Sequence, residues 1–219
     1  MKIFLDTANY GLIELWAQTG LIDGVTTNPT HLSKESGDPV ALIKKLCALL
    51  PNGHISVEVT EVAPERVYTQ AKTLAALAEN VVVKIPCHSD YFPIIKKLVD
   101  EEVQLNITLV FSLMQGVCMS KLGVLYISPF VGRLEDLDVD GVSLLGELSD
   151  MLDQYDYETE LLAASIRHVR HIHAAIEAGV DIITVPPTVL ATALNHPLTD
   201  RGMELFAADW KKLGIHTFP

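Results

Sequence analysis

The sequence predicts an α/β fold, a single (β/α)8 TIM barrel with an additional C-terminal helix, and three observations carry that prediction. Short β-branched runs alternate with longer amphipathic stretches along all 219 residues, a pattern that requires parallel strands joined by right-handed crossovers. The strand candidates number eight, the count of a closed barrel. No helix candidate opens on G-x-G-x-x-G or G-x-x-x-x-G-K-S/T, the turns that would favour the competing open, doubly wound sheet. No linker, composition shift or low-complexity tract divides the chain, so one domain over residues 1–219 is expected.

The strand candidates are residues 2–6, 24–26, 55–60, 81–85, 104–110, 124–128, 160–165 and 181–185. Helical patterns cover 39–50, 64–79, 91–101, 113–121, 142–152 and 168–178, each with apolar residues at i, i+3 and i+4 on one face. A further helix begins near Asn9. The last helix, about 200–213, carries Leu205, Phe206, Trp210 and Leu213 on an apolar stripe. Packing against the barrel and docking onto a neighbouring subunit both fit that stripe.

Bulk composition narrows the partners. The formal net charge of −12 disfavours nucleic acid and anionic membrane, while a local pair of arginines could still bind a small phosphate ligand. Cys47, Cys87 and Cys118 are odd in number and lie far apart without C-x-x-C, which fits a reducing compartment. Asp6 comes too early for a signal-peptide apolar region, and the longest apolar runs are strand-sized. A cytoplasmic protein is the expectation.

In a (β/α)8 barrel the active site forms at the C-terminal ends of the strands. The first strand ends at Asp6, and the second runs into Thr26-Thr27-Asn28-Pro29. The third carries Glu58, the fourth Lys84, the fifth Asn106 and Thr108. The sixth leads into Ser128-Pro129-Phe130, and the seventh into Ser165 with Arg167 beyond it. Polar residues would thus converge on one rim from seven strands.

Lys84 lies inside Val81-Val82-Val83-Lys84-Ile85-Pro86. A lysine there must snorkel to water, lose its charge or find a partner, and desolvation would favour the free amine that attacks a carbonyl. A purely structural ion pair with Asp6 or Glu58 is the competing reading. Asp6 and Glu58 suit proton transfer, although Asp6 could instead cap the first helix and Glu58 could be a solvated strand end. Arg133, Arg167 and a serine hydroxyl could clamp a phosphate with forked donors, whereas single loop arginines are usually solvated. His168 and His171 share a helix face, but no carboxylate at ligand spacing accompanies them and Arg170 intervenes, so a helix surface is preferred over a metal site.

Seven segments together resemble the short-chain members of the transaldolase/fructose-6-phosphate aldolase family. They are Leu5-Asp6-Thr7-Ala8, Gly24-Val25-Thr26-Thr27-Asn28-Pro29, Val83-Lys84-Ile85-Pro86 and Asn106-Ile107-Thr108-Leu109-Val110-Phe111-Ser112, then Ser128-Pro129-Phe130-Val131-Gly132-Arg133, Ala163-Ala164-Ser165-Ile166-Arg167 and His196-Pro197-Leu198-Thr199-Asp200. The resemblance implies a barrel enzyme that needs neither cofactor nor metal and transfers a dihydroxyacetone unit through a Schiff base on Lys84. Asp6 would take the proton from the C4 hydroxyl, and Glu58, with a water held by Thr108, would serve imine formation. Asn28 and Asn106 would hold the dihydroxyacetone unit, with Thr26, Ser128 and Phe130 as further substrate-binding positions. Arg133, Ser165 and Arg167 would bind the sugar phosphate. The implied reaction exchanges fructose 6-phosphate and erythrose 4-phosphate with sedoheptulose 7-phosphate and glyceraldehyde 3-phosphate, in the pentose phosphate pathway.

Within that family, the fructose-6-phosphate aldolases release free dihydroxyacetone. Where they carry glutamine this chain has Glu58, and where they carry tyrosine it has Phe130, so both positions favour transfer. A non-catalytic sugar-phosphate-binding barrel is a further alternative, opposed by retention of the named positions. The chain departs from the family pattern at Cys87-His88-Ser89-Asp90-Tyr91-Phe92, where bulky Tyr91 and Phe92 would narrow the acceptor entrance. The resemblance also implies a homo-oligomer, a pentamer or decamer, with the last helix reaching a neighbour.

Overall fold

The β-branched runs become strands that pair in sequence order, each parallel to the next. They are β1 (Lys2–Asp6), β2 (Gly24–Thr26), β3 (His54–Glu58), β4 (Val81–Pro86), β5 (Leu105–Val110), β6 (Tyr126–Pro129), β7 (Glu160–Ala163) and β8 (Ile182–Val185). In this computed structural model, which describes residues 1–214, β8 pairs back onto β1 and closes a barrel. The last five residues of the expected 1–219 domain lie outside the described residues.

The helices are α1 (Tyr10–Ala17), α2 (Pro29–Leu32), α3 (Pro39–Leu49), α4 (Pro64–Ala75), α5 (Phe92–Asp100) and α6 (Leu113–Leu122). They continue as α7 (Val131–Glu135), α8 (Gly141–Gln154), α9 (Val169–Glu177), α10 (Pro187–Leu194) and α11 (Pro197–Lys212). Side-chain caps start several of them: Asn9 accepts from Leu12 N–H, Asn28 from His31 N–H, Asp38 from Val40 N–H and Asp140 from Ser143 N–H. Three short helices, α2, α7 and α10, escape the periodicity reading: α2 and α7 are too brief to show a repeat, and α10 runs for only eight residues from Pro187. The strand expected over 55–60 stops at Glu58, since Thr60 N–H turns out of the ladder to the Gln70 side chain at 2.8 Å. The strand expected over 160–165 stops at Ala163, ahead of Ser165, which sits at φ 60°.

Alternation along the strands divides the barrel interior into layers. Phe4, Val82, Tyr126, Leu162 and Ile182 form one apolar cluster inside the barrel, with Ala164 above it. Two positions further along the same strands stand Asp6, Lys84, Ser128 and Thr184. The apolar layer is a plug, and the polar layer rests on it. A second, larger core lies between the outward strand faces and the helices, with Val25, Ile55, Val83, Ile107 and Leu161 fully or almost fully buried. α11 buries none of its residues, so the alternative in which its stripe packs away against the barrel is not what the structure shows.

Gly24 shows how tightly the plug is fitted. A Cβ added there would stand 2.5 Å from the His54 carbonyl and 2.8 Å from the Phe4 ring. Backbone on one side and a buried ring on the other leave no room to yield. Gly24→Ala is therefore expected to lower stability by about 1–3 kcal/mol, read as a lower urea midpoint with an unchanged slope.

Candidate active site

Lys84 sits in the middle of β4 with only 4% of its surface exposed. Strand pairing places Glu58, Lys84 and Asn106 side by side, because Glu58 is opposite Lys84 and Lys84 opposite Asn106. The ammonium nitrogen lies 3.2 Å from Glu58 Oε2 and donates to the Thr27 carbonyl at 3.1 Å. Thr27 is itself clamped to Ser56 O through its N–H and its hydroxyl, both at 2.9 Å, which fixes the carbonyl that Lys84 meets. Glu58 is thus neither a solvated strand end nor a bystander. A buried ion pair of this kind adds little net stability over apolar residues of equal size, so its stabilising value does not explain its presence.

Asp6 is not the cap of α1, a role that Asn9 fills. Its Oδ1 accepts the Thr26 hydroxyl at 3.1 Å, and Thr26 lies 2.6 Å from the Thr184 hydroxyl. With Thr26 donating to the carboxylate, Thr184 donates to Thr26. His31 Nδ1 approaches Asp6 Oδ1 at 3.6 Å and Asn28 Nδ2 at 3.4 Å. That nitrogen needs a proton to serve Asp6 and a lone pair to serve Asn28, so it serves one at a time.

On the opposite wall Asn106 links two hydroxyls. Its amide donates to Ser56 Oγ at 3.1 Å and its carbonyl accepts from Ser128 Oγ at 2.6 Å. The Thr108 hydroxyl is buried and has no hydrogen-bond partner among the described residues. Just beyond it the β5–β6 register shifts, with Leu109 at φ 57°. A leucine in the left-handed region is a strained residue, and such strain collects at functional sites.

The polar layer opens into a cavity of about 120 Å3, lined among others by Asp6, Thr26, Asn28, Lys84, Asn106, Ser128, Phe130, Arg133 and Ser165. Glu58 and Thr108, both expected at the site, are not among its lining residues. The Arg133 guanidinium lies over the Phe130 ring at 5.2 Å, and Phe130 meets Phe111 edge to face. Larger hollows exist, one of about 350 Å3 at the other end of the barrel around His54 and Tyr126 and one of about 960 Å3 beside α9. Neither holds a buried amine beside a carboxylate. Cys87, just past β4, is no rival nucleophile, since burial and the nearby Cys118 push its thiol up to about 11.

Three expectations change. Arg167 does not line the cavity; its guanidinium makes a two-pronged contact with Asp136, with Nη2 2.6 Å from Oδ2. The Arg167 hydrogen bond holds the Asp136 carboxyl below the usual carboxylate range and raises the guanidinium in turn. Tyr91 and Phe92 do not narrow the mouth: Tyr91 is buried, with its hydroxyl on Val62 O at 2.8 Å, and Phe92 packs against the core. His171 is buried rather than on a helix surface, and the carboxylate missing from its local sequence comes from Glu135, 2.7 Å from its Nε2. His168, His171 and Glu135 gather their ligand atoms within 4.8 Å. However, His171 Nδ1 accepts the Arg167 N–H at 3.2 Å, so Nε2 carries the proton that goes to Glu135 and the ring has no lone pair left for a cation.

Sequence reasoning also missed His31 and Thr184. Thr184 was findable, two positions after inward Ile182 on a strand. His31 was not, because it lies in the unrecognised helix α2.

Comparisons with known proteins point to one family. The family model for transaldolase/fructose-6-phosphate aldolase matches residues 3–216. A "probable transaldolase" of Lactiplantibacillus plantarum is 45% identical over 96% of this chain and 97% of its own length. Those of Chelativorans sp. and Caulobacter vibrioides are 42% and 43% identical, each over 98% of both chains. Among solved structures, a "putative fructose-1,6-biphosphate aldolase" from Coccidioides immitis superposes with a TM-score of 0.59 at 10% identity, over 84% of this chain and 73% of that one, a likeness of fold alone.

Proposed function

The chain belongs to the transaldolase/fructose-6-phosphate aldolase family, and from that premise we propose that it is a transaldolase working through a Schiff base on Lys84. The observation that carries the reading is the Lys84 amine, buried in a strand against the Glu58 carboxylate at the floor of a polar cavity.

An ammonium is not a nucleophile, and Glu58 is the base in reach of its proton. The freed amine adds to the C2 carbonyl of fructose 6-phosphate or sedoheptulose 7-phosphate. Glu58 returns a proton as the carbinolamine loses water, with the Thr108 hydroxyl as a further hydrogen-bonding group. The resulting iminium is the electron sink. Asp6 takes the proton of the C4 hydroxyl, the C3–C4 pair flows into the iminium, and an aldose phosphate leaves. The enamine then adds to the acceptor aldehyde, erythrose 4-phosphate or glyceraldehyde 3-phosphate, as Asp6 gives its proton to the new alkoxide. Hydrolysis of the iminium restores the amine.

The same reading gives the other groups their work. Asn28, Asn106, Thr26 and Ser128 hold the hydroxyls of the dihydroxyacetone unit, while Arg133 and Ser165 meet the phosphate. Asp6 is kept in place by Thr26 and faced by His31. Phe130 presents a phenyl ring, which cannot orient a water to release the iminium early. Transfer is thereby favoured over release of free dihydroxyacetone.

Borohydride reduction in the presence of fructose 6-phosphate is expected to leave a substrate adduct on Lys84, read by peptide mass analysis. Lys84→Ala should lower transfer by at least about 10⁴-fold, and folded protein without the adduct would refute the mechanism. Glu58→Gln combined with Phe130→Tyr should shift activity towards free aldol cleavage, measured as dihydroxyacetone released without an acceptor. Continued dependence on an acceptor in that variant would show that these two positions do not set the outcome. The reading also includes a cytoplasmic homo-oligomer that covers the exposed Leu205 and Phe206 of α11, so light scattering should give a mass of five or ten chains, and a monomer would reject it.

A further inference from the structure

The Arg167 guanidinium is a forked donor near a proposed phosphate site, yet it is already occupied. We infer that Asp136 is a specificity-determining residue: it is the resident counter-ion of Arg167, and the arginine joins the phosphate site only when a phosphate dianion outcompetes that carboxylate. The inference rests on the transaldolase reading for the identity of the ligand, but its chemistry concerns phosphate alone.

Two consecutive carboxylates at the end of α7, Glu135 and the capping Asp136, reach respectively to His171 of α9 and to Arg167 in the loop before it, and they do different things. Glu135 bonds His171 Nε2 at 2.7 Å, and His171 Nδ1 accepts the Arg167 backbone N–H at 3.2 Å. Because His171 is 98% buried, with 2% exposure, this arm fixes the backbone of Arg167. Asp136 holds the side chain, through both terminal nitrogens of the guanidinium. With the main chain pinned, only the side chain is free to swing.

Its route is defined by a glycine. The Arg167 stem crosses Gly132, where an added Cβ would lie 2.7 Å from Nε and 2.8 Å from Cδ. Gly132 adjoins Arg133, and Arg133 and Ser165 line the cavity. The two anchors of the guanidinium, Asp136 now and a phosphate beside Arg133 later, thus flank one short residue.

Energetics favour an exchange over a permanent lock. The pair is about half exposed, 47% for Arg167 and 48% for Asp136, so solvent screens it. A phosphate dianion carries more charge than a carboxylate and accepts from the same fork. A neutral sugar hydroxyl does not displace a carboxylate from a guanidinium, so Arg167 stays on Asp136 when an unphosphorylated ligand binds. Asp136 therefore makes the second arginine conditional on the phosphate.

The test is calorimetric titration of the intact protein with inorganic phosphate, which needs no turnover. Asp136→Asn and Asp136→Ser, both checked for an unchanged unfolding midpoint, should bind phosphate about two- to five-fold more tightly. Asp136→Glu should stay near the starting affinity, and adding Arg167→Leu to Asp136→Asn should erase the gain. In turnover, the advantage of fructose 6-phosphate over fructose should grow through KM with kcat little changed. Equal or weaker phosphate binding by Asp136→Asn and Asp136→Ser would overturn the inference, as would a gain that survives Arg167→Leu. Failure to trap Lys84 with borohydride would sink the transaldolase reading while leaving the titration result standing.

Discussion

A charged amine shielded from bulk water must be satisfied by groups inside the barrel, and much of the site follows from that need. Lys84 rises from an apolar strand to the floor of a small cavity, so the neighbouring strands must supply oxygen atoms at its height. Glu58 supplies charge, and Thr27 supplies a carbonyl held still by Ser56. Removing any one of these would leave another buried polar group without its partner, which costs more than the bond itself contributes. The constraint is mutual, and it is why oxygen-bearing groups from β3 and the end of β2 gather at the height of the lysine.

The apolar plug is the other half of the arrangement. Phe4, Val82, Tyr126, Leu162 and Ile182 fill the barrel below the amine and deny it solvent from that end. The period of two along each strand then puts Asp6, Lys84, Ser128 and Thr184 one rung higher on the same inward face. Packing and chemistry are therefore not separate regions of the molecule; they are successive rungs of the same strands. Irregular backbone begins where the second rung ends, at Leu109 and Ser165, both with positive φ.

Much of this was legible in the residues. Strand alternation revealed the barrel, and polar strand ends revealed which rim to inspect. Lys84, Asp6, Asn28, Asn106, Ser128, Arg133 and Ser165 do meet around one cavity. What was not legible has identifiable physical causes. Helices of four or five residues such as α2 and α7 have no period to detect, which hid His31 and the carboxylate pair Glu135 and Asp136. Side-chain direction is equally silent: Tyr91 looked like an obstacle at the rim and is instead folded inward onto Val62 O. Arg167 shows the same limit, because a residue's place beside a site does not say which of two anions its guanidinium holds.

The layered interior also bears on how such a protein can change over generations. Because the plug carries the packing and the rung above it carries the polar groups proposed to meet the substrate, a substitution at Ser128 or Thr184 alters the polar layer without opening a void in the hydrophobic one. The barrel thus separates the residues that keep it folded from those that decide what it does, by one step of two residues along each strand. Lineages can explore new substrates on the upper rung while the lower one preserves the scaffold that makes exploration survivable.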